Sequence, residues 1–243
     1  DKGVHRFDPV GNKFASYFLS KGDERGSKFD ILRSLYGDRD GVLWLGTALP
    51  GFVRFDMDRG TFNPVAIPLF DSTPLRYEVN SIGEDTSGLL WLSTSQGIVT
   101  FDRRTHTFAF PNIDREINRE LISSTTFIFD AGTDNVWLAG EFGLSLFDRK
   151  KAGFTRIFSN QRGSRSLRSN IIYSAVDDGR GSLWLGTSDG LYSYDKKTGD
   201  HHRYSLFNDT VRGLTLDKKG HIWASTDAGL SRIDMPSGEI FNF

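Results

Sequence analysis

The sequence predicts an all-β chain, a β-propeller of four-stranded antiparallel blades, on three observations. First, all five tryptophans, Trp44, Trp91, Trp137, Trp184 and Trp223, hold one place in a repeating phrase, at spacings of 47, 46, 47 and 39 residues. The phrase reads Gly-Val-Leu-Trp44-Leu-Gly-Thr, Gly-Leu-Leu-Trp91-Leu-Ser-Thr, Asp-Asn-Val-Trp137-Leu-Ala-Gly, Gly-Ser-Leu-Trp184-Leu-Gly-Thr and Gly-His-Ile-Trp223-Ala-Ser-Thr. A rare residue that recurs with its neighbours marks one supersecondary unit copied along the chain. Second, each repeat divides into four short runs rich in aromatic and β-branched residues, bounded by Gly, Asp, Asn and Ser, as strands are. Third, no segment longer than one turn combines a 3.6-residue apolar period with caps at both ends. Four strands in about 40–50 residues is a propeller blade.

The elements follow in order. Gly3–Asp8 and Lys13–Phe18 read as a third and a fourth strand, so residues 1–20 form an outer half-blade. Five complete blades are expected at about 29–65, 77–111, 121–158, 170–206 and 209–243. In each, an inner strand closed by acidic residues comes first, as in Ile31–Asp38 and Val211–Asp217. A Gly-rich turn leads to the Trp strand. A short turn then opens a third strand: Gly51–Asp56, Gly97–Asp102, Gly143–Asp148, Gly190–Asp195 or Gly229–Asp234. A polar turn such as Lys196–Gly199 leads to an outer aromatic strand such as Thr107–Phe110. Because the half-blade has no inner strands in the sequence, the expectation is a piece of a larger, seven-bladed ring. Its bare edges would attract other strands, so self-association through propeller edges is expected.

A blade cannot cover its own two faces, so the repeated Trp and the aromatic before each third-strand Asp are expected between blades. Each such ring buries about 150–250 Å². The recurring Asp56, Asp102, Asp148, Asp195 and Asp234 end a strand and open a turn, where a carboxylate accepts bonds from backbone amides two residues on. They are spread one per blade, so neither metal nor any other cofactor is expected. With 30 basic and 31 acidic residues the formal charge is −1, which leaves no electrostatic footprint for nucleic acid. No run of 18 apolar residues occurs, so no membrane-spanning helix is expected. Cysteine is absent, which excludes disulfides and thiol catalysis.

The wording of the repeat resembles the two-component regulator propeller family. That repeat runs as an apolar strand, an acidic pair, a Gly turn, Leu-Trp-Ile/Leu-Gly-Thr, Gly-Leu, an aromatic-Asp pair, Thr-Gly and an aromatic strand. The match is strongest from Glu84 to Asp102 and from Asp177 to Gly199. It departs in the third blade, where Asp130–Asn135 carries one extra residue and Ala139-Gly140 replaces Gly-Thr. The resemblance implies the periplasmic input region of a bacterial membrane sensor, whose output is a histidine kinase or a GGDEF-type diguanylate cyclase. WD40 repeats fit less well, since no Trp-Asp pair closes a repeat. Related repeats in streptogramin lyases use a His and a metal. Here the five histidines, His5, His106, His201, His202 and His221, are scattered among strands and turns, and no Gly-x-Ser-x-Gly, P-loop or His-Glu-x-x-His motif occurs. Catalytic residues are therefore expected to be absent. A sensor is the first reading and a protein-interaction scaffold the second.

If a ligand binds, the loops that converge at the channel mouth are its place, because they vary while the strands do not. These are the short turns that hold Ala48–Pro50, Ser95-Gln96, Glu141-Phe142, Ser188-Asp189 and Asp227-Ala228, and the long connections Lys21–Lys28, Phe70–Arg76, Asn112–Glu120 and Asn160–Arg168. Eleven residues before each Trp a polar residue interrupts the inner strand: Arg33, Asn80, Tyr173 and Arg212, with Thr125 at the shifted place in the third blade. Arg33, Asn80, Tyr173, Arg212, Glu141 and Asp189 are the candidate ligand-binding residues. Arg offers forked donors suited to carboxylate or sulfate, while Asn and Tyr suit sugar hydroxyls. The expected ligand is a small polar molecule, an oligosaccharide or an organic anion. Arg162, Arg165 and Arg168 crowd one loop of the same face.

Overall fold

Among the described residues, twenty-two strands arrange themselves in five four-stranded antiparallel sheets and one two-stranded sheet. The computed structural model describes residues 3–19, 31–68, 77–111, 113, 125–130, 135–151, 153–158, 167, 171–206, 210–235 and 237–243, with the backbone alone at 125–130 and 156. Strands β1 (Val4–Asp8) and β2 (Lys13–Tyr17) form the half-blade. Blade 1 runs β3 (Leu32–Gly37), β4 (Leu43–Thr47), β5 (Phe52–Asp56), β6 (Thr61–Pro64), and blade 2 runs β7 (Val79–Glu84), β8 (Leu89–Thr94), β9 (Gly97–Asp102), β10 (Thr107–Ala109). Blade 3 holds β11 (Thr125–Asp130), β12 (Asn135–Gly140), β13 (Gly143–Asp148) and β14 (Gly153–Phe158). Blade 4 holds β15 (Ile172–Asp177), β16 (Ser182–Thr187), β17 (Gly190–Asp195) and β18 (His201–Tyr204). Blade 5 holds β19 (Val211–Leu216), β20 (His221–Thr226), β21 (Gly229–Asp234) and β22 (Glu239–Asn242). Each blade is a meander in chain order, and the fold class is the β-propeller. No helix occurs among the described residues.

The chain divides into two compact units, Asp1–Ser123 with Ile128–Val136, and Ser124–Phe127 with Trp137–Phe243. In the first unit Trp44 stacks on Phe52 at 4.8 Å and 10°, and the pair is roofed by Val79, Ile82, Leu90, Leu92 and Phe101 of blade 2. The opposite face of blade 1, with Leu45, Val53 and Phe55, is covered by Val4 and Tyr17 of the half-blade. In the second unit Trp184 and Leu191 of blade 4 meet Val211, Ile222, Ala224 and Ile233 of blade 5. Trp44, Trp91, Trp137 and Trp184 are buried, whereas Trp223 of blade 5 is half-buried.

The Gly of Trp-Leu-Gly-Thr permits the close approach of one blade to the next. A Cβ on Gly46 would run into the Val79 carbonyl oxygen and the Ser34 hydroxyl, and one on Gly186 would lie 2.8 Å from Val211 Cγ1. The Thr that follows ties the turn beyond it. Thr94, Thr187 and Thr226 each donate Oγ1–H to the carbonyl oxygen of a glycine three residues on, at 2.7, 2.9 and 3.1 Å. Those glycines, Gly97, Gly190 and Gly229, have φ of 124°, 125° and 148°, where a Cβ would be strained.

The third-strand aspartates behave as turn openers. Asp56 Oδ1 accepts from the amides of Asp58 and Arg59, Asp148 Oδ1 from Lys150 and Lys151, and Asp195 Oδ1 from Lys197 and Thr198, all within 2.8–3.1 Å. Asp102 Oδ1 accepts from the Arg104 amide at 2.8 Å. These amide bonds hold the four carboxyls below the ordinary carboxylate range.

Candidate functional site

The polar interruption of the inner strand has a structural cause. In blade 1 Leu32 faces Thr47 and Ser34 faces Gly46, so Arg33 is the extra residue of a β-bulge. Asn80 falls at the same shift between Val79 and Ser81, Tyr173 between Ile172 and Ser174, and Arg212 between Val211 and Gly213. A bulge residue has no opposite number in the ladder and its side chain is re-aimed out of the alternation. Four blades thus present one polar side chain each from the same break in the innermost strand. Thr125 begins β11, and its side chain lies outside the described residues.

The structure gives these residues partners that the sequence reading did not foresee. In the first unit Arg33 Nη2 donates to Glu78 Oε2 of blade 2 at 3.1 Å, both side chains being partly exposed. Asn80 is half-buried two residues along. In the second unit the Arg212 guanidinium lies 4.6 Å from the ring centroid of Tyr173, a cation–π contact between blades 5 and 4. Its Nε and Nη2 donate to the two carboxylate oxygens of Asp227 at 2.9 and 3.3 Å. That fork raises the Arg212 pKa and lowers that of Asp227. Each arginine therefore carries its own carboxylate. Asp227 was legible as a turn residue close to Arg212, but Glu78 carries no signal of its role until the bulge in blade 1 brings Arg33 beside it.

The two remaining candidates sit apart from these pairs. Asp189, in the turn between β16 and β17, accepts from the Tyr192 hydroxyl at 3.1 Å and lies 3.5 Å from Arg203 Nε, so its carboxylate is engaged within blade 4. Glu141 is exposed in the turn between β12 and β13. Arg162, Arg165 and Arg168 lie outside the described residues, as do nearly all of the long connections. Among the histidines, His5 Nδ1 is 2.9 Å from Ser16 Oγ and His221 Nδ1 is 2.9 Å from Asp217 Oδ2. Among the described residues no three His, Cys, Asp or Glu side chains are grouped so as to hold a metal ion.

A second polar constellation belongs to the opposite turns. Six residues before the Trp, an Asp clasps the inner hairpin. Asp38 Oδ1 accepts from the amides of Asp40 and Val42, and Oδ2 accepts from Trp44 Nε1 at 2.7 Å. Asp85 does the same for Ser87, Leu89 and Trp91, and Asp217 for Lys219, His221 and Trp223. Blade 4 departs: Asp178 holds the Arg180 and Ser182 amides, but the indole N–H of Trp184 is buried without an acceptor. Between blades 1 and 2, Arg103 joins Asp38, Asp40 and Glu84, and Arg39 also reaches Glu84. Burial pushes the Asp38 carboxyl up, but the Trp44 indole, the Val42 amide and Arg103 outweigh it and hold it below its ordinary value. The recurring Asp-to-Trp spacing of six was visible in the sequence, but the clasp needs the hairpin to fold back.

The family described as two component regulator propeller matches residues 28–48 and 166–189, which span the inner hairpins of blades 1 and 4. These two segments match the two-component regulator propeller repeat. Histidine kinase P4 of Formosa agariphila is 27% identical over 206 residues, covering 78% of this chain and 14% of that protein. The extracellular domain of the putative hybrid two component system BT4673 from B. thetaiotaomicron is 18% identical, with a TM-score of 0.57, covering 100% of this chain and 39% of that one. Virginiamycin B lyase from Staphylococcus aureus is 13% identical, with a TM-score of 0.69, covering 98% and 76%. At such identities the structural likenesses carry the propeller fold alone. The chain spans well under half the length of the kinase and of the BT4673 domain. No helix among its described residues is long and apolar enough to cross a membrane.

Proposed function

We propose that the chain is a ligand-sensing input domain of a bacterial membrane signal-transduction protein, placed in the periplasm, whose output is a histidine kinase or a diguanylate cyclase. The family of its repeats and its likeness to a histidine kinase and to the extracellular domain of a hybrid two component system support this reading. The observation that carries it is the bulge register. A bulge costs ladder hydrogen bonds, and four blades repeat it at a position that carries a polar side chain in each of them. The ligand is a small polar molecule, met in the first unit by Arg33 and Asn80 and in the second unit by Tyr173 and Arg212, each pair being a candidate site of its own unit. Of the two chemistries expected, the structure favours a neutral polyhydroxylated molecule over an anion. An organic anion would have to displace Glu78 and Asp227 from the arginines. A sugar can accept from the guanidinium and donate to the carboxylate of the same pair.

Calorimetric titration of the chain with neutral oligosaccharides and with dicarboxylates tests this. The double variant Arg33→Ala/Arg212→Ala should lose binding at least tenfold while its melting temperature stays nearly unchanged, since both ion pairs are exposed and weak. Equal affinity in the two proteins removes these residues from the site. Tighter binding of dicarboxylates than of oligosaccharides overturns the ligand class.

A further inference from the structure

We propose that Glu78 and Asp227 are specificity-determining residues, one for the candidate site of each unit. Each carboxylate sits where an anionic ligand would bind its arginine, so the site admits neutral polyhydroxylated molecules and refuses carboxylates and sulfates. The identity of the ligand rests on the sensing role proposed above, whereas the refusal of anions is a property of each pair. Arg33 and Arg212 hold one register, as the bulge residue of β3 and of β19. Their carboxylates come from different places in the repeat. Asp227 lies in the turn after β20, four residues beyond Trp223, where blade 1 has Ala48 four residues beyond Trp44. Glu78 lies two residues before the bulge residue of the next blade, Asn80, where blade 5 has Thr210 two residues before Arg212. An acid merely copied with the repeat would stand at one position in both blades. What the two blades share is the pairing. Stability does not account for it, because both pairs are about half-exposed and such pairs contribute little to folding.

The geometry sets the chemistry of the filter. A guanidinium grips a carboxylate or a sulfate with two parallel N–H donors. Arg212 already gives Nε and Nη2 to the two oxygens of Asp227, at 2.9 and 3.3 Å. An arriving anion would meet a like charge at hydrogen-bond range, a repulsive element that acts against one ligand class only. A hydroxyl meets no such penalty, since it can accept from the remaining guanidinium N–H groups and donate to the carboxylate. Asparagine in place of Asp227 keeps the shape, removes the charge and adds N–H donors. The Tyr173 ring, 4.6 Å from the Arg212 guanidinium, would hold that group in place after the change. Arg33 gives one bond to Glu78, at 3.1 Å, and has no such ring contact among the described residues. Loss of the Glu78 charge would therefore leave Arg33 less well positioned, and the second unit is the more easily converted to anion binding.

Calorimetric titrations of the chain with malonate, with sulfate and with neutral oligosaccharides, at low ionic strength, test the filter. Asp227→Asn should bind the two anions more tightly than the parent by about tenfold or more, and Glu78→Gln should gain less. The gain should vanish in Asp227→Asn/Arg212→Ala. Asp200→Asn makes the same change of net charge at an exposed position of the same unit and should gain nothing. The pairs are exposed, so the variants should keep the parental melting temperature; Asp227→Ser is the second variant if Asp227→Asn does not. Anion binding by the parent as tight as by Asp227→Asn overturns the filter, and so does an equal gain in Asp200→Asn. Oligosaccharide binding by the parent with no anion gain in Asp227→Asn overturns the filter and leaves the sensing role standing. An anion gain in Asp227→Asn with no oligosaccharide bound by the parent supports the filter and counts against the proposed ligand.

Discussion

At the scale of single residues, the Asp-to-indole bond separates otherwise equivalent tryptophans. Trp44 and Trp91 are buried with their N–H on Asp38 and Asp85, while Trp184 is buried with its N–H unmet. Removing one partner of a buried hydrogen bond costs about 1–3 kcal/mol beyond packing. Trp44→Phe should therefore cost more than Trp184→Phe by about that amount in urea denaturation; equal losses would show that the clasp contributes nothing. Trp184→Ala should still cost about 3–5 kcal/mol, because the ring fills the seam between blades 4 and 5. Acid should weaken the fold for a related reason. Asp38, Asp56, Asp102, Asp148 and Asp195 all have lowered pKa values. Between the lowered values and the ordinary one near 4, the unfolded chain binds more protons than the folded one. The stabilisation is thus present above pH 4 and lost as pH falls through the folded values. Melting temperatures should hold from pH 7 to about 5 and drop below about 4; a flat profile to pH 2 would contradict the assignment.

At the scale of the blade, the repeat is read twice, once for packing and once for the bulge. The alternation that buries Trp44, Phe52 and their equivalents was visible in the sequence because a side chain's face follows from its parity along the strand. The bulge was not, because a polar residue in an inner strand looks the same whether it is an ordinary outward position or an inserted one. The pairing partner decides, and Thr47, Thr94, Thr187 and Thr226 lie one hairpin away. The glycine of Trp-Leu-Gly-Thr gives this scale its test. Gly46→Ala must push the Val79 carbonyl of the next blade, and overpacking of that kind costs about 1–3 kcal/mol. Blade 2 carries Ser93 at the same register, so the same substitution there, Ser93→Ala, should cost under about 1 kcal/mol. Loss of stability by both alike would show that Gly46 serves its own turn and not the seam.

At the scale of the whole molecule, two compact units of stacked blades make stability a sum of neighbour terms rather than one global quantity. Asp38→Ala should accelerate amide exchange in blades 1 and 2 before it does so in blades 4 and 5, as measured by native-state hydrogen exchange. Uniform acceleration would mean that the chain opens as a single unit. The last blade has an exposed face: Leu230 and Phe243 are 40% and 70% exposed, and with Ser231 and Asn242 they line a cleft of about 300 Å³. We expect concentration-dependent self-association through this face, seen by sedimentation and reduced by Leu230→Glu. A strict monomer at millimolar concentration would remove the expectation.

The blade, its four strands and the buried role of its tryptophans follow from the sequence alone, because a 47-residue echo of one rare residue cannot arise without a repeated unit and a repeated unit must be covered by its neighbour. The polar register of Arg33, Asn80, Tyr173 and Arg212 was equally legible. What those residues touch was not. Glu78 lies 45 residues from Arg33, and Tyr173 lies 39 from Arg212, so each pair exists only after one blade has been laid on the next. The bulge and the carboxylate beside each arginine are both properties of strand pairing. Strand pairing is long-range: it is set by which edge meets which, and local residue patterns do not encode the partner.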